Sequence, residues 1–209
     1  MTREELEPIA EVVKKHNLLV LSDEIYAEMT YNGKHVSIAS LPDMKDRCIV
    51  INGFSKAFAM TGWRLGFTLA NEEMTKAMTK VHQYGIMSAP TTAQFAAIEA
   101  MRNGDEDVRM MREEYNRRRR YLTAGLRSIG LSCFEPEGAF YVFPCIAGTG
   151  LSSEEFCRRL LEEYDVAIVP GNAFGDCGEG FARISYAYSV QHISKALERM
   201  ESFLKSLRN

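Results

Sequence analysis

Lys56 stands in the stretch Gly53-Phe54-Ser55-Lys56-Ala57-Phe58-Ala59-Met60-Thr61-Gly62-Trp63-Arg64-Leu65-Gly66, just after an apolar run that reads as a strand. α/β folds present ligand groups at such strand ends, and a lysine desolvated there becomes a nucleophilic amine. The plainer reading is a solvated surface lysine. Arg64 carries a permanent charge on a planar fork that matches phosphate oxygens. Asp23 closes the run Leu18-Leu19-Val20-Leu21-Ser22 and precedes Glu24, Ile25 and Tyr26. An acid at that place can meet a ligand cation or simply cap a turn. Arg183 lies inside the apolar segment Phe181-Ala182-Arg183-Ile184-Ser185-Tyr186. Burying an unpaired charge is strongly disfavoured, so it needs an anion, either a protein carboxylate or a bound one.

The elements that must hold these groups follow from hydrophobic spacing. Residues 3–17 open with Thr2, Glu4 and Glu5 and place Leu6, Ile9, Ala10, Val12 and Val13 on one face, which predicts an amphipathic helix ended by Asn17. Three short apolar runs, 18–21, 48–51 and 65–70, show little alternation, as strands covered on both faces of an α/β sheet do. Helices are expected at 72–84, 93–102 and, as a long connection between two domains, about 107–129. Strand-like runs at 131–135, 139–143, 166–169 and 181–186 then mix with helices at 152–164 and 190–207. Helices grouped around a small, mixed sheet suggest an α+β second domain.

Composition bounds the function classes. The chain has 209 residues, 46% hydrophobic and 25% charged, with a net charge of -3, which excludes disorder and gives no overall attraction for nucleic acid. No run of about 18 apolar residues and no signal-like start occur, so a cytoplasmic protein without membrane association is expected. Five cysteines without a C-x-x-C spacing read as reduced thiols, and the four scattered histidines lack metal-ligand spacing, so no metal site is expected. Arg117 to Arg120 fall on the long helix, where successive side chains turn by about 100° and form no single stripe; Glu113 and Glu114 compensate them. Cys177 has no neighbouring cation or histidine in sequence to activate it.

The lysine stretch resembles the lysine motif of the class I/II pyridoxal-phosphate aminotransferases, the fold-type-I family, and the Asp23-Glu24-Ile25-Tyr26 segment is similar to that family's D-E-I-Y element, 33 residues earlier. The resemblance implies that Lys56 carries pyridoxal 5'-phosphate covalently and acts as general base and acid. It also implies that Asp23 pairs with the ring nitrogen, Tyr26 hydrogen-bonds the ring oxygen and Arg64 holds the phosphate, with Ser55 a further phosphate ligand. Arg183 matches the family arginine that grips the substrate α-carboxylate in a fork. Phe140, Tyr141 and Phe174, in Gly138–Tyr141 and Pro170–Gly175, become candidate pocket walls, or core aromatics. Glu24 has no evident cofactor contact and reads as structural. Gly53 occupies a place where some branches have a phosphate-binding hydroxyl.

The implied fold is α/β, an incomplete fold-type-I large domain over 1–105 followed by a complete small α+β domain over 106–209. Family members carry about 150 to 200 further residues ahead of Met1, and without them one apolar strand becomes an exposed edge. The implied function is amino-group transfer between an L-amino acid and a 2-oxo acid, in a homodimer. Two alternatives stand beside it, a β-elimination lyase of the same fold and a noncatalytic truncated fragment. Residues 81–101 contain no Lys or Arg, and Tyr84, Ile86 and Met87 give an apolar-aromatic character. Such a wall cannot pair a second substrate carboxylate, so aromatic or apolar amino acids are expected to serve at least as well as aspartate.

Overall fold

The computed structural model describes residues 1–208, which divide into two compact units, Met1–Arg112 and a second from Glu113 onward. The first unit opens with helix α1 (Arg3–Lys15), whose entry is a capping box: Thr2 accepts from the Glu5 amide while the Glu5 carboxylate accepts from the Thr2 amide. Strands β1 (Val20–Asp23), β2 (Cys48–Gly53) and β3 (Gly66–Leu69) form a sheet in the order β1-β2-β3, the first pair parallel and the second antiparallel. Leu6, Ala10 and Val13 of α1 pack with Ile38, Leu41, Met44 and Cys48 to make a core on one sheet face. Helix α2 (Phe54–Ala57) follows β2, and α3 (Glu72–Gly85) and α4 (Thr91–Asn103) complete the unit before α5 (Asp105–Ser128).

Two expectations need correction here. Strand β1 begins two residues later than the apolar run suggests, because Asn17 takes a left-handed conformation and the Leu18 amide bonds back to Val13 at the end of α1. Leu18 and Leu19 therefore belong to the helix exit and stay exposed. Nor is the sheet covered on both faces: Leu21 is 72% exposed, and all four residues of β3 are exposed, Leu69 at 60%. Both β1 and β3 are edges, and β3 presents apolar side chains there.

In the second unit the sheet runs β4 (Tyr141–Val142), β6 (Ala182–Ser185), β5 (Val169–Pro170). Both pairings are antiparallel, so the sheet is not mixed. Helices α6 (Ser153–Tyr164) and α7 (Val190–Ser206) start at Ser152 and Ser189, whose hydroxyls accept from the third amide on. Phe156 and Phe203 meet edge to face in the core, fully buried. No strand forms over 131–135: Leu131 closes the end of α5 onto Leu126, Arg127 takes the Cys133 carbonyl, and Phe134 is 92% exposed. Within the arginine run, Arg117 and Arg118 both bind Glu114, holding its carboxyl down to about 2. Arg119 alone turns inward, to Glu135 and the Pro136 carbonyl. No described helix is long and apolar enough to cross a membrane.

Candidate functional site

Register at the end of the first sheet sets the geometry of the lysine segment. Asp23 ends β1 opposite Ile51 of β2, and β2 runs two residues further to Gly53 before turning into α2. Asp23 is exposed, with Oδ1 accepting from the Ile25 amide. That bond tightens the turn into a short 3-10 segment, Ala27–Met29, opened by Tyr26. Helix α2 packs against this segment, and the Lys56 amine lies 6.0 Å from the centre of the Tyr26 ring. Lys56 and Ser55 are both half-buried. Asp23, Tyr26 and Lys56 thus come from neighbouring strand ends.

Arg64 reaches the same end by a different route. After α2 the chain makes a second 3-10 turn, Thr61–Trp63, which also packs on α2. Arg64 follows it with φ 53° and ψ 49°, a left-handed conformation that costs a non-glycine residue roughly 1–2 kcal/mol. Ala59, five residues earlier, is left-handed as well. The Arg64 guanidinium donates to the Thr61 carbonyl and is otherwise turned to solvent.

Gly53 and Gly66 are partners that spacing alone did not single out for this role. They are paired in register, and the Phe54 amide bonds the Leu65 carbonyl, joining the start of α2 to the residue after Arg64. A Cβ on Gly53 would lie 3.1 Å from the Gly66 Cα and the Leu65 oxygen and 3.2 Å from Ile25 Cδ1. Backbone cannot yield as a flexible side chain does. Gly53→Val is therefore expected to cost about 1–3 kcal/mol, seen as a lower urea midpoint at unchanged slope; an unchanged midpoint would show that the crossing has room.

Arg183, in the second unit, is half-buried on β6. Its guanidinium lies 4.5 Å from the centres of both the Tyr141 and Phe174 rings. Among the described residues no carboxylate is paired with it, so the ion pair that a buried arginine suggests is not made within the chain. Both contacts are of the cation–π kind, which uses the positive charge of the guanidinium rather than a carboxylate partner. Phe140 packs on Tyr115 and Tyr141 one layer behind. Arg183 and Tyr141 also line a cavity of about 500 Å³ with Val169, Tyr188 and His192. Among the described residues no three His, Cys, Asp or Glu side chains are placed to hold a metal.

Glu24 was legible only as a structural residue, and the structure gives it a definite environment. Its carboxylate is buried and accepts from the Ser22 and Ser37 hydroxyls at 2.9 and 2.6 Å, with His35 Nε2 at 2.8 Å. His35 carries no metal-ligand signature in sequence, and nothing in its spacing points to this partner.

Comparison with known proteins gives these features a family. The model of aminotransferase class I and II matches residues 1–200. YugH of Bacillus subtilis, a protein that carries an aminotransferase name, is 55% identical over 97% of this chain and 53% of its own length. The aspartate aminotransferase of Pyrococcus abyssi is 46% identical over 98% of the chain and 54% of its own. The crystal structure of the aromatic aminotransferase from Pyrococcus horikoshii superposes with a TM-score of 0.97 at 45% identity, over 100% of this chain and 57% of that one. The chain therefore spans about half the length of the relatives it matches. With the family model covering nearly all of it and these likenesses agreeing, the chain belongs to the class I and II aminotransferases.

Proposed function

We propose that this chain supplies the lysine, ring-binding and carboxylate-binding residues of a pyridoxal-phosphate-dependent transaminase acting between an L-amino acid and a 2-oxo acid. The observation that carries the reading is the Lys56 amine held over the Tyr26 ring at the strand end where Asp23 is exposed. The donor set fits the cofactor group by group: an amine for the aldehyde, a carboxylate for a protonated ring nitrogen, a phenol for the ring oxygen, and Ser55 with Arg64 for the phosphate. Bound pyridoxal phosphate supplies an aldehyde that holds the amino group and a ring that withdraws electrons from the substrate α-carbon. Asp23 keeps the ring nitrogen protonated, and Tyr26 donates to the ring oxygen. Lys56 would hold the cofactor aldehyde through its amine and, when that amine is free, would serve as the base and acid that moves a proton at the substrate α-carbon. Arg183 binds the α-carboxylate through its fork. We assign residues 1–105 to the cofactor-binding domain and 106–209 to the small domain; the break between the compact units falls a few residues later, inside α5. A second copy of the chain is the partner this reading calls for.

Borohydride reduction in the presence of pyridoxal 5'-phosphate, followed by peptide mass analysis, tests the assignment. The adduct is expected on Lys56, and an adduct confined to another lysine would overturn it.

The side-chain preference follows from the end of α3 and the residues after it. Val81, Tyr84, Ile86 and Met87 are all exposed and none is cationic, so this segment brings no charge to a second carboxylate. Aromatic or apolar amino acids are expected to match or exceed aspartate in kcat/KM. The comparison runs on phenylalanine, alanine and aspartate, in this chain or in a longer protein containing it. A preference for aspartate above roughly a hundredfold, about 2.7 kcal/mol of transition-state binding, contradicts it.

A further inference from the structure

Side chains alternate across a strand, so Ser22 and Glu24 share one face of the β1 end while Asp23 points to the other. Glu24 lies on the covered side, 7% exposed, and three donors converge on it: the Ser22 and Ser37 hydroxyls on Oε1, and His35 on Oε2. Ser37 is used in both directions, because its Oγ also accepts from the Ala39 amide and so caps the 3-10 turn Ile38–Ser40. One carboxylate thereby ties a loop 11 to 13 residues downstream to the end of β1. The backbone around it is closed too. The Glu24 amide bonds the Ile51 carbonyl, its own carbonyl accepts from Ala27, and the Tyr26 carbonyl accepts from Met29. Burial, and secondarily the Glu24 charge, push the neighbouring Cys48 thiol up.

A carboxylate is a costly choice for a purely structural contact, since a buried charge must be fully compensated. An apolar residue would cover the core equally well but would leave the Ser22 and Ser37 hydroxyls without this acceptor. What the carboxylate adds is direction: three fixed donors hold the peptide unit that carries Asp23 on one side and leads to Tyr26 on the other. We infer that Glu24 is a positioning residue, gathering Ser22, His35 and Ser37 behind β1 and so fixing the backbone from Asp23 to Tyr26. The inference rests on the reading that Asp23 and Tyr26 meet the cofactor ring.

The test uses the 209-residue chain, wild type and Glu24→Ala, Glu24→Gln and Ser37→Ala. Amide hydrogen exchange is followed by mass spectrometry over residues 22–31, with α1 and α7 as internal references, and borohydride trapping of pyridoxal 5'-phosphate on Lys56 is measured against pH. Glu24→Ala is expected to speed exchange over 22–31 at least about tenfold, with α1 and α7 unchanged. It should also lower trapping at subsaturating cofactor by a similar factor and shift the pH midpoint of trapping. Glu24→Gln keeps an acceptor for both serines and is expected to restore slow exchange to within about threefold of wild type. Wild-type exchange over 22–31 in Glu24→Ala would overturn the proposal, as would acceleration that spreads equally through α1 and α7. Should Glu24→Ala fail to fold, Ser37→Ala decides: about threefold faster exchange confined to 22–31 supports the proposal, and no change overturns it. Absence of any wild-type adduct on Lys56 would remove the cofactor reading, while the exchange comparison still decides whether Glu24 fixes the segment.

Discussion

Lys56→Ala is expected to erase covalent capture of pyridoxal 5'-phosphate at this position and to lower transamination by at least about 10³-fold. A positioned acid–base group contributes roughly 10²–10⁴, and in the proposed reading the same side chain also holds the cofactor. The loss should be specific. Lys56 is half-buried in the four-residue helix α2, whose buried residues are Phe54 and Ala57, so truncating its side chain leaves the packing of that helix in place. The fold should therefore survive, and noncovalent cofactor binding through Asp23, Tyr26 and Arg64 should persist. Circular dichroism and urea titration check the fold, and peptide mapping after borohydride checks the chemistry. Wild-type levels of activity in the variant would end the assignment.

Arg183→Lys is expected to lower kcat/KM by roughly 10- to 150-fold while leaving capture of the cofactor on Lys56 unchanged. The charge is kept, but in the proposed reading a lysine gives the substrate carboxylate one charge-assisted hydrogen bond where a fork gives two, a loss of about 1.5–3 kcal/mol. Placement suffers as well. The flat guanidinium lies 4.5 Å from the centres of both the Tyr141 and Phe174 rings, and a compact ammonium on a flexible stem cannot contact both in the same way. Steady-state kinetics with one amino acid and one oxo acid, run beside the trapping assay, separates the two roles. A variant that lost cofactor capture but kept normal substrate kinetics would place Arg183 on the wrong ligand.

Much of the helical framework could be read directly. Thr2 announces the start of α1, and the helices expected at 72–84, 152–164 and 190–207 are found with Asn71, Ser152 and Ser189 as caps, because short polar side chains satisfy orphan amides there. Strands were less certain. Leu18 and Leu19 look like strand residues, yet the left-handed turn at Asn17 assigns them to the helix exit. In 131–135 the backbone groups of Leu131, Ser132 and Cys133 find partners in α5, the Cys145 amide and Arg127, and no ladder forms. Local hydrophobicity does not reveal which of two available partners a backbone amide will take.

The motifs around Lys56, Asp23 and Arg183 follow from the order of residues along the chain, since a strand end, a turn and an apolar strand each extend over a few neighbours. Tertiary structure decided what lies between those segments: the close crossing of Gly53 and Gly66, the two rings on Arg183, and the buried Glu24 with His35 and Ser37. The physical reason is range. Helical and strand periodicities are local, whereas these contacts join residues brought together by sheet register and loop closure, which depend on the sum of many pairings across the fold.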